Sequence, residues 1–95
     1  MTEIKEGFNK FYLVDTLENL KAEVTYVYDN QGTIIIDHTF VSKELSGQNV
    51  GKQLIKKVVD FARQENKKIT PQCPFAKKEF SRNKEYEDVL FNKIN

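Results

Sequence analysis

The chain divides by the period of its apolar positions. Across residues 22–29 the pattern alternates, with Ala22, Val24, Tyr26 and Tyr28 on one side and Glu23, Thr25 and Val27 on the other, which predicts a half-buried strand. Residues 33–41 form a second extended run, and Asp29-Asn30-Gln31-Gly32 between them supplies residues that accept positive φ, so 22–41 reads as a hairpin. A shorter apolar run, 8–14, predicts a first strand, followed by a polar turn at 15–20. At Val50 the period becomes helical. Val50, Leu54, Ile55, Val58, Val59 and Ala62 make an apolar stripe, while Lys52, Lys56, Lys57, Asp60 and Arg63 face water, and the helix should fade near Asn66. Residues 68–73 follow so closely that they read as the strand closing a right-handed parallel βαβ crossover, with Pro71 marking an edge or a strand end. Pro74 suits the first position of another helix, and Phe75, Phe80, Tyr86, Val89, Leu90 and Phe91 supply faces for one broken or two short C-terminal helices. The expected order is β-β-β-α-β-α: an α+β chain with a mixed sheet and one parallel βαβ crossover.

The join between the hairpin and the long helix carries the chemistry. Residues 41–54 run from a strand end through a turn bearing Gly47 and Gly51 into the helix. Such a turn aims unpaired backbone N–H groups outward at the positive end of a helix dipole, where phosphate is the usual guest. The pattern therefore points to a phosphorylated cofactor, entering at the carboxyl ends of the two parallel strands.

Composition narrows the picture. Ninety-five residues, 39% hydrophobic and 31% charged, are expected to form one domain over 1–95. The net charge of +1 gives no general pull toward nucleic acid or membrane, but it is unevenly spread. Residues 1–47 carry 4 basic and 8 acidic side chains (−4), and residues 48–95 carry 11 and 6 (+5), so the second half suits a polyanion. The lone Cys73 excludes an internal disulfide and, with no signal-like segment, predicts a cytoplasmic protein. No apolar run is long enough to span a bilayer. One His and one Cys do not build a zinc shell, so no metal is expected. No aromatic-basic array specific for RNA is present, and Phe75 and Phe80 read as core. An open sheet edge leaves the expectation of a monomer or weak dimer.

The run Ser46-Gly47-Gln48-Asn49-Val50-Gly51, with Asp37-His38-Thr39-Phe40-Val41 before it and Ile69-Thr70-Pro71-Gln72-Cys73-Pro74-Phe75 after it, resembles the GNAT superfamily of N-acetyltransferases over roughly residues 10–91. Its small, single-domain, YjdJ-like branch is the nearer likeness. The superfamily's turn reads Arg/Gln-x-x-Gly-x-Gly/Ala. Here Gly51 matches the final glycine, Asn49 stands for the middle one and Ser46 for the Arg or Gln. Asn is the residue after glycine that best tolerates left-handed backbone. The resemblance implies a minimal GNAT-like fold with acetyl-CoA (or CoA) between the strands at 33–41 and 68–73. Phe40 and Val41 would offer main-chain groups to pantetheine and the thioester carbonyl, and Gly47, Gln48, Asn49, Val50, Gly51 and Lys52 would hold the pyrophosphate. Residues 15–21 replace the two helices that in the superfamily help shape the acceptor site, so the amine acceptor is unnamed.

Several side chains carry two readings each. Cys73, at a strand end before a helix N-terminus, is either a buried core thiol or a transient acetyl acceptor or proton donor to departing CoA. His38, alternating with Ile34, Ile36 and Phe40, is either a hydrogen-bonded structural residue or the general base for the amine. Lys77, Lys78 and Arg82 are either a solvated helix face or contacts to the CoA phosphates. Tyr86 is a core anchor or an acid near the thiolate. The function expected is acetyl-CoA-dependent N-acetyl transfer. The alternatives are a non-catalytic acetyl-CoA-binding module and an interaction domain that keeps the fold.

Overall fold

A computed structural model describes residues 3–91. It contains β1 (Lys5–Gly7), β2 (Lys10–Val14), β3 (Leu20–Tyr28), β4 (Ile34–Val41), a 3₁₀ turn (Lys43–Leu45), α1 (Val50–Glu65), β5 (Ile69–Pro71), α2 (Pro74–Arg82) and a second 3₁₀ segment (Lys84–Val89). The five strands form one sheet in chain order, antiparallel from β1 to β4 and parallel between β4 and β5. This is the mixed α+β sheet with a single parallel crossover that the pattern predicts. No described helix is long and apolar enough to cross a membrane.

The N-terminal run departs from expectation. Residues 8–14 are not one strand. Asn9 adopts φ 55° and Phe8 is 90% exposed at the tip of a tight turn, so the chain folds back and β1 pairs with β2. An apolar Phe in a turn defeats a pattern read on hydrophobicity alone. The β3–β4 turn behaves as its residues dictate. Asp29 Oδ1 accepts the N–H groups of Gln31 (2.8 Å) and Thr33 (2.9 Å), and Gly32 takes φ 81°.

The core lies between one face of the sheet and the helices. The stripe Val50, Leu54, Ile55, Val58, Val59 and Ala62 is buried against Phe11, Leu13, Ala22, Val24, Tyr26, Ile34 and Ile36. Each of the buried Val, Leu and Ile side chains contributes about 1.5–3 kcal/mol on leaving water. Phe61 packs against the rings of Phe11 (6.1 Å) and Tyr26 (5.7 Å), fixing α1 over β2 and β3. Asn66 closes α1 in left-handed geometry, donating to the Ala62 and Arg63 carbonyls. On the other face Tyr12, Glu23, Thr25, Val27, Ile35, His38 and Phe40 are half-buried or exposed.

The C-terminal segment is tied to α1 by charge. Arg63 Nε and Nη2 each lie 3.0 Å from the Asp88 carboxylate, and Lys68 Nζ donates to Asp88 O at 2.6 Å. The Arg63 hydrogen bond holds the Asp88 carboxyl below the usual carboxylate range, against a smaller opposing effect of desolvation. A carboxyl with a depressed folded pKa stabilises the fold above its unfolded pKa and loses that contribution as pH falls through the folded value. The Asp88→Asn variant is therefore expected to lose less Tm than the wild type on acidification below about pH 4. Thermal melts of both proteins across that range check it, and parallel curves would contradict it.

Candidate functional site

The site begins with one extra residue in β4. Thr25 pairs with His38 but Tyr26 pairs with Ile36, so Asp37 is a bulge, held by a 2.6 Å hydrogen bond from Thr25 Oγ1 to its carboxylate. A bulge reverses which face later side chains take. Ile34 and Ile36 are buried, and beyond Asp37 it is Thr39 and Val41, opposite Val24 and Ala22, that take the core side. His38 therefore does not share a face with Ile34 and Ile36 as simple alternation predicts. With Phe40 it is exposed on the outer face.

The same point ends the pairing with β5. The parallel ladder covers Ile34–Ile36 and Ile69–Pro71, after which Gln72 N–H (2.9 Å) and Cys73 N–H (3.1 Å) both donate to Ile36 O and the chain turns into α2. Residues 37–41 thus keep β3 on one side and, among the described residues, have no strand on the other. Ser42 N–H donates to Lys21 O (2.8 Å), so by ladder alternation Phe40 and His38 direct their main-chain groups to β3, and Thr39 and Val41 direct theirs to the open side. Of the two expected main-chain donors, Val41 faces the opening and Phe40 faces the sheet. Thr39 Oγ1 lies 3.3 Å from Cys73 Sγ, which is buried at the head of α2.

The turn after β4 leaves backbone N–H groups at the start of α1 without helix partners. Lys21 Nζ meets Glu44 Oε2 at 2.6 Å, anchoring the 3₁₀ turn beside β3. Gly47 has φ 85° and Asn49 φ 61°, so Asn49 takes the left-handed role that its side chain tolerates. The Asn49 side chain makes no cap hydrogen bond, and the first N–H of α1 with an acceptor in its own helix is that of Gln53, to Asn49 O (3.1 Å). The N–H groups of Val50, Gly51 and Lys52 thus have no partner in the helix. Gln48 does not share this role: its N–H is committed to Leu45 O (3.2 Å) and its side chain turns back to Glu44 O.

A cleft of about 370 Å³ opens here, lined by Val41, Leu45, Ser46, Gly47, Asn49, Val50, Gly51, Lys52, Phe75, Glu79 and Arg82. Its volume lies within the range of small-ligand sites. The stripe Phe75, Glu79, Arg82 follows helical spacing, so α2 presents that face to the cleft. Lys78 flanks it and Lys77 points about half a turn away, its N–H bonded to Cys73 O. Of the expected α2 cations only Arg82 lines the cleft. Phe75, expected in the core, is half-buried in the cleft wall, and Glu79 is an acidic lining residue that the basic pattern hid, although its i, i+4 spacing from Phe75 marks it. Tyr86 is buried against the Phe80 ring (5.4 Å) and does not line this cleft; burial, then the neighbouring carboxylates of Glu85 and Glu79, raises its phenol above the ordinary tyrosine value.

Gly51 lies tight against the wall. A Cβ there would lie 2.7 Å from Phe75 Cζ. Replacing glycine near a helix start gains at most about 1 kcal/mol of helix propensity, and overpacking costs about 1–3 kcal/mol, so the steric effect wins. Gly51→Ala is expected to destabilise the protein by about 1 kcal/mol in urea unfolding and to become neutral or stabilising in a Phe75→Ala background. The absence of that reversal would show that the contact does not limit the site.

Comparisons with known proteins agree with this geometry. The model of the GCN5-related N-acetyl-transferase family matches residues 10–89. No curated protein sequence matches the chain. The solution structure of a GCN5-like protein of Staphylococcus aureus, provisionally classed as an N-acetyltransferase, is 47% identical, with a TM-score of 0.82 over 98% of this chain and 91% of that one. A GNAT-family acetyltransferase of Staphylococcus aureus Mu50 shares the fold at 18% identity (TM-score 0.64, 78% of this chain, 50% of that one). So does a ribosomal-protein-alanine N-acetyltransferase of Brucella melitensis biovar Abortus 2308 at 17% identity (TM-score 0.57, 90% and 66%). The family match over most of the chain and the close structural neighbour together establish that this protein belongs to the GCN5-related N-acetyltransferase family.

Proposed function

We propose that the protein binds acetyl-CoA in this cleft and transfers the acetyl group to an amine, as a small single-domain, YjdJ-like member of its family. The observation that carries the proposal is the end of the β4–β5 ladder at Ile36, which leaves the open edge of β4 and the Thr39–Cys73 pair near a cleft rimmed by the bare N-terminus of α1. The residues present fit the cofactor. The N–H groups of Val50, Gly51 and Lys52 take the pyrophosphate, and the left-handed backbone at Gly47 and Asn49 shapes the cradle. Lys52 and Arg82 attract the outlying phosphate from opposite walls. Val41 N–H is free to donate to a pantetheine or thioester carbonyl, which stabilises negative charge on that oxygen.

Acetyl-CoA supplies an acetyl group already activated as a thioester. Cys73, whose sulfur is hydrogen-bonded to Thr39 at the head of α2, serves as transient acceptor or as proton donor to the departing thiolate. His38, exposed on the opposite face beside the bulge, is the base for an amine arriving from that side. That face is open because only a tight loop at 15–19, closed by Asp15 Oδ1 on the N–H groups of Leu17 and Asn19 (both 2.9 Å), joins β2 to β3. The same short loop favours a second reading, a non-catalytic acetyl-CoA-binding module, since it encloses no amine.

Titration of CoA followed by backbone amide NMR is expected to shift Thr39, Val41, residues 46–52 and residues 73–82, with Lys77 among the least affected of the last group. No shifts at millimolar CoA would remove both readings. Turnover with amines separates them. Cys73→Ser is expected to bind acetyl-CoA normally and to lose about a hundredfold in acetyl transfer, the usual scale of a positioned acid or nucleophile. Wild-type turnover in that variant would leave Cys73 as a core thiol.

A further inference from the structure

One side chain in the cleft has the wrong sign for an anion site. Glu79 belongs to the α2 wall and is 3% exposed. Its two oxygens face cations from different helices: Oε1 is 4.0 Å from Lys52 Nζ, and Oε2 is 3.9 Å from Arg82 Nη1. Neither contact is short enough to be a hydrogen bond. The hydrogen bond recorded to this carboxylate comes from Asn83 Nδ2, at 3.3 Å to Oε1. A buried carboxylate has room for several donors, so this one is held mainly by charge. The cationic side chains are 48% and 60% exposed, long arms whose heads gather over the buried anion.

We propose that Glu79 is the built-in counter-anion of the cleft. It partly neutralises Lys52 and Arg82 when the cleft is empty, competes with any phosphate that enters, and so sets how tightly, and how steeply with charge, a polyanion is held. Applied to CoA, the proposal rests on the acetyl-CoA reading above. Two opposite effects are at stake. Glu79 orients the cations, but long ion pairs on half-exposed side chains contribute little. It also repels every phosphate nearby from a fixed place in a wall that water screens poorly. The repulsion is the larger effect, so Glu79 weakens binding. This serves a transferase: spent CoA carries the same phosphates as acetyl-CoA, and a counter-anion ready to recapture the two cations hastens its release.

Calorimetric titration of CoA, dephospho-CoA, pantetheine and inorganic pyrophosphate into wild type, Glu79→Gln and Glu79→Asp tests this. In Glu79→Gln the Kd for CoA is expected to fall about three- to tenfold. It should fall less for dephospho-CoA, which lacks the 3′-phosphate, and stay unchanged for uncharged pantetheine. Pyrophosphate should also tighten, and added salt should erase the gains. Glu79→Asp keeps the charge and should stay within about twofold of wild type. Should the Gln variant fail to fold, Glu79→Ala takes its place. Weaker or unchanged CoA binding on loss of the charge would overturn the proposal, as would an equal gain for pantetheine, which points to a conformational cause. If CoA does not bind but pyrophosphate binds and tightens in Glu79→Gln, the cofactor reading fails and the counter-anion stands. If no anion binds either protein, both fall.

Discussion

The constraint on which the rest depends is the single extra residue at Asp37. A strand of this length, with β3 on one side and β5 on the other, would ordinarily pair on both edges to its end. The bulge instead coincides with the last β4–β5 pair, and Ile36 O closes that edge by accepting both Gln72 and Cys73 N–H groups. Beyond it, among the described residues, the polar backbone of β4 has a free edge inside the fold rather than at the sheet margin. An inner free edge is costly to leave unmet, so it is a natural place for a ligand that brings its own donors and acceptors. The bulge also divides labour between faces. Thr39, Val41 and Cys73 belong with the helices, and His38 and Phe40 with the open face.

The left-handed turn before α1 complements that edge. Gly47 and Asn49 hold positive φ without contribution from a capping side chain, so the helix start is stabilised by its buried stripe rather than by its cap. Val50 and Leu54 anchor the first turn in the core, which lets its N–H groups stay unpaired. Burial of that stripe outweighs the roughly 1 kcal/mol that a good cap supplies. The long arms of Lys52 from α1 and Arg82 from α2 meet over Glu79 across the cleft.

Much of this was legible in the sequence. The helical stripe of α1, the β3–β4 hairpin turn, the parallel crossover and the glycine-bearing turn before α1 all follow from period and glycine placement, because each depends on neighbours close in the chain. The bulge was not. Ile34, Ile36, His38 and Phe40 alternate without a break, and nothing local marks Asp37 as unpaired; the shift is set by partners in β3 and β5. Phe8 misled for a related reason, since an apolar side chain at a turn tip breaks the rule that hydrophobicity means strand. On α2 the basic pattern includes Lys77 and Lys78, whereas helical phase turns Phe75, Glu79 and Arg82 to the cleft. Charge separates the two halves of the chain but does not say which face of α2 meets the cleft.

The last described residues alter how the sheet meets its surroundings. Ile69 forms a parallel bridge with Leu90, and Phe91 N–H donates to Ile69 O at 2.8 Å. The chain therefore folds back along the outer margin of β5 as a one-residue strand, occupying ladder positions that another polypeptide would need in order to extend the sheet there. At the opposite margin β1 is three residues long and begins with a lysine. Sheet growth by strand addition is disfavoured on both sides, by occupancy at one and by brevity and charge at the other. Neither side offers a stranger a long, flat ladder to join.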